Sequence, residues 1–283
     1  MFVREKQFRT SVDALLLNLS ISDLGMTGLC FPFIISANFA QEWLHGSIGC
    51  TMYGFLSFLF GNGSISTLSA ISVERYLIIC RHYEETILQR RMALVKILGI
   101  IWFQAFVWAM LPITTGVEYT LEPFQMSCTV DWKGKSLRSR LFILGLVVLV
   151  LGVNTLIMLF CYICIFYTAR KERRRRREIQ NVVVTKICFF LVVAFFVCWA
   201  PYAVVSLMGS YGNPHTIPRV ITVVPVIFAK LSTCLNPVMY VVISKRFRKR
   251  YLDTIKCKKR NRLYPSSIVT VQMTLRQYQT NGR

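Results

Sequence analysis

Apolar positions along the chain gather into six long runs, at about 12–38, 47–80, 91–113, 140–169, 182–209 and 217–243. A helix needs about 20 largely apolar residues to cross a bilayer, and each run supplies that many or more. The longer runs are expected to continue past the membrane as helix. The pattern predicts an all-α membrane protein with six visible spans. A short basic amphipathic segment after the last run predicts one further helix, and the polar stretch from about 258 predicts a disordered tail. Residues 1–257 are therefore the expected membrane domain and 258–283 the tail. Repeats and low-complexity segments are absent apart from an arginine run at 173–177.

Composition agrees with this reading. The 283 residues are 54% hydrophobic, too apolar for an ordinary soluble domain. The net charge of +21 would suit a nucleic-acid partner, but the basic residues collect between the apolar runs. Membrane topology explains that placement, and no nucleic-acid partner is expected. Arg4, Lys6 and Arg9 precede the first run; Arg81, Arg90 and Arg91 follow the second; Arg170 to Arg177 precede the fifth; Lys245 to Arg250 follow the sixth. The alternate connections are poor in basic residues. The positive-inside rule then puts both termini in the cytoplasm, as an even number of spans requires. No cleavable signal peptide is evident.

Against this background the charges inside the spans stand out. Lys230 is the only charge in 220–243. A lysine at the centre of a membrane helix costs about 2.5–3.5 kcal/mol on insertion scales. Its basic neighbours Arg219 and Lys245 are about 16 and 22 Å away along a helix, too far for easy snorkelling. Asp23 is the other lone charge at depth; Ser64, Ser232 and Asn236 could join it in an internal polar site that takes a sodium ion, and a protonated, hydrogen-bonded aspartate is the plainer reading. Glu74-Arg75-Tyr76 closes the second run, where an acid can neutralise an arginine and release it on a switch; a solvated helix end is the plainer alternative. Cys198-Trp199-Ala200-Pro201 sets a tryptophan beside a helix-bending proline, and Asn236-Pro237-Val238-Met239-Tyr240 interrupts the last run. Of ten cysteines, Cys50 and Cys128 fall on the outer, oxidising side, where they can pair across the loop 114–139. Most others lie in apolar runs as small core residues. Cys257 follows the amphipathic segment, where lipidation by palmitate is the functional reading and an ordinary tail cysteine the other.

In this order and spacing the motifs resemble those of rhodopsin-like G-protein-coupled receptors over about residues 4–257: Asp23, the Cys50–Cys128 pair, Glu74-Arg75-Tyr76, Trp102, Tyr162, Trp199-Ala200-Pro201 and Asn236-Pro237-Val238-Met239-Tyr240 with Phe247. Within that family Lys230 stands where opsins carry the lysine that binds retinal as a Schiff base. An amine in an apolar surrounding is free to attack an aldehyde. The resemblance implies a retinal cofactor and a protonated imine that needs an anion. The familiar visual position is Tyr53 here, which cannot serve. Asp23, Glu118, Glu122 and Asp131 remain, and Glu122 matches the outer-loop glutamate of many non-visual opsins; Asp131 matches a structural hydrogen bonder. Trp199, Tyr202 and Tyr53 match pocket aromatics, and Gly61 a glycine that leaves room for the chromophore. The tracts 122–132 and 201–206 look most like the neuropsin, or opsin-5-like, group.

The resemblance implies a multi-pass receptor of the cell membrane that senses light and activates a heterotrimeric G protein, with arrestin and receptor kinase as further partners and lipid around it. It implies no enzyme. The rival readings are a retinal photoisomerase using the same adduct, a truncated opsin that does not signal, a receptor for a diffusible ligand with Lys230 as salt-bridge donor, and, more distantly, a transporter or channel. Three departures from the family's pattern are visible. Asn154 stands where a proline usually produces a helix bulge, so an altered bulge is expected. Asn181 stands where an acid usually latches the inner end, so a weaker latch and dark activity are expected. The first visible span matches the family's second, so the rhodopsin-like seven-helix bundle is expected with its first helix missing. The sequons at Asn18 and Asn62 lie within spans, and glycosylation there is not expected.

Overall fold

The computed structural model describes residues 11–81, 91–122, 124–132, 136–171, 179–212 and 218–243. Residues 1–237 form one compact unit and 238–283 a second, whose described part is the end of the last helix. Apolar runs became helices nearly where the pattern put them. The first comprises α1 (Ser11–Gly25), a widened π-helical turn at Met26–Cys30, and α2 (Phe31–Ala40). It ends at Gln41, whose φ of 60° is left-handed and whose N–H caps Ala37 O. Then come α3 (Gly46–Cys80) and α4 (Arg91–Thr115), followed by α5 (Leu137–Gly145), a second π turn at Leu146–Gly152 and α6 (Val153–Lys171) as one continuous rod. The bundle is completed by α7 (Ile179–Tyr211) and α8 (Arg219–Ile243). Among the described residues, five helices are long and apolar enough to cross a membrane, and α8 holds a shorter apolar run, Val224–Asn236.

The core follows from which faces pack against other helices rather than lipid. Leu15, Leu19, Leu68, Ile71, Met158, Ile187 and Leu191 are almost fully buried, and what they contribute there is close packing rather than removal from water. Many large apolar side chains remain outside, among them Phe39, Ile100, Phe103, Leu156 and Phe160. On a soluble domain such a surface would be an aggregation hazard; on a membrane bundle it is the lipid-facing side. The middle helix, α3, packs against α1, α4, α6 and α7, which is why it buries polar side chains such as Asn62, Thr67, Ser72 and Glu74.

Two local features depart from the helical pattern. Strands β1 (Tyr119–Leu121) and β2 (Cys128–Val130) pair antiparallel, Tyr119 opposite Val130 and Leu121 opposite Cys128. Glu122 N–H donates to Ser127 O at 2.8 Å and Gln125 N–H to Glu122 O at 2.7 Å, so the hairpin closes tightly between the strands. It is clamped on three sides. Cys128 is disulfide-bonded to Cys50 at the start of α3, with Cα atoms 5.4 Å apart. Tyr119 Oη donates to Ala109 O of α4 at 2.9 Å, and burial pushes this phenol above its ordinary range, so it stays a donor. Ser210 Oγ of α7 donates to Trp132 O at 2.8 Å. Gly54 and Gly209 are glycines for steric reasons, since a Cβ would strike the Tyr119 and Trp132 rings respectively. The second feature is the π turn before Asn154. An altered bulge is expected where asparagine replaces the usual proline, and a π turn spans Leu146–Gly152. Asn154 Nδ2 donates to Val150 O at 2.7 Å, occupying a carbonyl within the widened turn, and Ser69 Oγ of α3 donates to Asn154 O at 3.3 Å.

Candidate functional site

Beneath the hairpin, α3, the α5–α6 rod, α7 and α8 enclose a cavity whose walls are mostly apolar. Its volume is about 150 Å³, room for an organic ligand rather than an ion. The hairpin forms the roof through Glu122, Cys128, Thr129 and Val130; the π turn forms one wall through Leu146, Val147, Val150 and Leu151.

One end of the cavity carries opposite charges. Lys230 Nζ lies 4.0 Å from Glu122 Oε2, with side chains 24% and 10% exposed. Ser127 Oγ donates to that same Oε2, which fixes the carboxylate on the hairpin. The Tyr53 ring, itself buried, faces Lys230 Nζ at 5.7 Å. Tyr202 completes this end, its hydroxyl 2.6 Å from Thr129 Oγ1. Asp131 and Glu118 are elsewhere in the loop, tied by Asp131 N–H to Glu118 O at 3.0 Å. Asp23 is not a partner of Lys230 either: Asn236 Nδ2 donates to both its oxygens, at 2.9 and 3.1 Å.

Trp199 forms the cavity floor. Its ring stacks on Phe195 at 5.6 Å and meets Tyr202 edge-on at 6.2 Å. Gly61 faces it so closely that a Cβ would come within 3.3 Å of the indole. The indole N–H donates to Ser232 Oγ at 3.1 Å, and Ser232 donates in turn to Ala229 O, next to Lys230 in the chain. Farther along α3, Arg75 Nη2 lies 3.7 Å from Glu74 Oε1, both side chains buried, and Ser11 donates to Glu74. Tyr76 packs on Phe160 at 5.6 Å.

A sequence model described as the 7 transmembrane receptor (rhodopsin family) matches residues 1–240. The chain belongs to the rhodopsin family of seven-transmembrane receptors. Human opsin-5 is 33% identical over 255 residues, 86% of this chain and 72% of that protein. The human visual pigment-like receptor peropsin is 28% identical over 284 residues, covering 97% of this chain and 83% of its own length. The crystal structure of squid rhodopsin superposes with a TM-score of 0.81 at 28% identity, covering 90% of this chain and 78% of that one. The opsin resemblance, including its opsin-5-like colouring, is thereby borne out.

In this rhodopsin-family bundle Lys230, Glu122, Tyr53, Gly61, Trp199 and Tyr202 all line one cavity, although they come from four separate stretches of chain. Of the expected polar quartet, Asp23 and Asn236 are joined, Ser232 bonds Trp199, and Ser64 is buried on α3. The Glu74–Arg75 pair is buried rather than a solvated helix end. Asn18 and Asn62 are buried too, in keeping with unmodified sequons. Cys257, Phe247 and the segment after α8 lie outside the described residues, as do the side chains of Asn181, Pro237 and Tyr240. Sequence reasoning missed Ser127 and Thr129. The signal was there in part, as two β-branched or aromatic triplets flanking a turn. It also missed the chain of bonds from Trp102 Nε1 to Asn18 Oδ1 at 2.9 Å and from Asn18 Nδ2 to Thr67 at 2.8 Å, which ties α4, α1 and α3 together.

Proposed function

We propose that this receptor senses light through retinal held covalently on Lys230, with Glu122 as the counterion and a heterotrimeric G protein as its output. The observation that carries the proposal is the Lys230–Glu122 pair at one end of a ligand-sized apolar cavity. A long apolar aldehyde fits that arrangement: an amine to bond its carbonyl end, a fixed carboxylate beside it and aromatic walls for the rest. Retinal when bound supplies absorption of light and a change of shape. The protein supplies the remainder. Ser127 holds Glu122 in position, Tyr53 and Tyr202 shield the lysine end from water, and Gly61 lets Trp199 press against the ligand. Movement of the indole would strain its bond to Ser232 on α8 and its stack on Phe195 in α7. Asn236, Pro237 and Tyr240 are the elements of α8 proposed to transmit that strain. Release of Arg75 from Glu74 then opens the inner face to the G protein, and afterwards to kinase and arrestin. On this reading the Arg75 end and both termini of this chain are cytoplasmic.

The test begins with absorption spectra after reconstitution with retinal, followed by borohydride reduction and mass analysis of the Lys230 peptide. A visible or near-ultraviolet pigment whose label sits on Lys230 and vanishes in Lys230→Ala is expected, together with light-dependent nucleotide exchange on a G protein. Absence of any retinal on Lys230 would sink the proposal. Retinal turnover under light without nucleotide exchange would replace the receptor with a photoisomerase.

A further inference from the structure

Several buried or half-buried polar side chains of α3 and its neighbours are turned back onto backbone carbonyls. Thr67 donates to Gly63 O, Ser72 to Leu68 O and Asn154 to Val150 O. Two atoms lining the cavity behave otherwise: among the described residues, Ser57 Oγ and Asn62 Nδ2 are buried with no hydrogen-bond partner. Ser57 is one turn from Tyr53, at the lysine end, and its hydroxyl can rotate towards that end's polar groups. Asn62 sits deeper on the same helix. It is 7% exposed, lies about 13 Å beyond Tyr53 along α3, and shares the cavity wall with Ile65, Val147 and Val150. A buried amide donor in apolar surroundings is costly unless something accepts from it, and folded proteins rarely leave one so.

The position of Asn62 says what the acceptor would be. If the aldehyde end of the ligand is anchored at Lys230, its ring end lies at the far end of the cavity, beside the π turn. We propose that Asn62 is a specificity residue that recognises an oxygen on the ring, so that this protein takes a ring-hydroxylated retinal in preference to the unsubstituted one. The proposal rests on the retinal reading above. The ring hydroxyl oxygen accepts from Asn62 Nδ2, and the widened turn at Leu146–Gly152 shapes the wall around it. An unsubstituted ring offers this donor nothing. A neutral hydrogen bond of this kind corresponds to a preference of roughly 2- to 10-fold.

A competition experiment tests it. The apoprotein is given equal amounts of retinal and 3-hydroxyretinal, as the 11-cis and separately as the all-trans isomers. The adducts are reduced with borohydride, and the two labelled Lys230 peptides are quantified by mass spectrometry. The hydroxylated adduct is expected to exceed the plain one by roughly 2- to 10-fold, with the ratio falling to one or below in Asn62→Leu and surviving in Asn62→Thr, which keeps a hydroxyl donor. If the leucine variant does not fold, the ratio in the parent protein still decides. Equal labelling in the parent, the outcome if an ordered water satisfies Asn62, overturns the specificity proposal and leaves retinal binding intact. Labelling by neither retinoid overturns both.

Discussion

Two demands meet at Glu122. Its Oε2 receives the Ser127 hydroxyl and is also the oxygen nearest Lys230 Nζ. Removing one member of a buried ion pair leaves the other uncompensated, at a cost of about 3–5 kcal/mol. Glu122→Gln is therefore expected to give a pigment with a shifted absorption maximum that loses its visible band at lower pH than the parent. Absorption spectra across a pH series check this, and identical spectra and titrations would remove Glu122 from the role. Gly61→Ala tests the opposite wall. Its new Cβ would stand 3.3 Å from the Trp199 ring, so the indole must give by a few tenths of an ångström. A lower pigment yield and a displaced absorption maximum are expected, read from reconstituted spectra. Lys230 was legible in the sequence because a charge in an apolar span is a one-dimensional signal; Glu122, one of three acids in the loop 114–139, was picked out by its match to the opsin loop glutamate. The roles of Ser127, Ser232 and Asn62 were not legible. A serine or asparagine in a helix looks the same whether it caps a carbonyl, grips an indole or faces a cavity, and only three-dimensional packing distinguishes these.

Helices were the readable elements, since their apolar runs are local and long. The β1–β2 hairpin was hidden: three-residue strands carry almost no periodicity, and their pairing depends on the disulfide and on the Tyr119 and Trp132 rings docking against glycines. Such a clip should matter in proportion. Cys50→Ala with Cys128→Ala is expected to cost about 2–5 kcal/mol, seen as faster thermal loss of the pigment. A thermal half-life equal to the parent's would show that the hairpin holds without its bridge. The π turn has its own local partner: where the family usually has proline, the Asn154 amide sits on Val150 O within the widened turn. Asn154→Leu, similar in size but unable to donate, should close or loosen that turn, whereas Asn154→Pro should keep it. Comparing the absorption maxima and pigment yields of the two variants checks this, because Val147, Val150 and Leu151 in and around the turn line the cavity.

Across the molecule, the cavity and the buried Glu74–Arg75 pair are joined by α3 itself, about 33 Å from Tyr53 to Arg75 at 1.5 Å per residue. Ser11 on α1 and Arg75 share Glu74, so the pair is braced against a second helix. Glu74→Gln keeps the shape but removes the charge that restrains Arg75. On the proposed function it should raise nucleotide exchange in the dark several-fold while leaving the absorption maximum unchanged, measured on one preparation. A shift in the maximum with no rise in dark exchange would contradict that division between cavity and switch. The same division has a consequence for how such proteins diversify. The carboxylate that faces Lys230 is carried by a loop held by one covalent bridge, two hydrogen bonds and a few ring contacts, not by any helix of the bundle. Loops accept substitution, insertion and exchange far more readily than packed helices. Colour, on the proposed reading, is therefore a portable property: transplanting residues 118–132 between relatives could change the wavelength detected while leaving the signalling helices as they are.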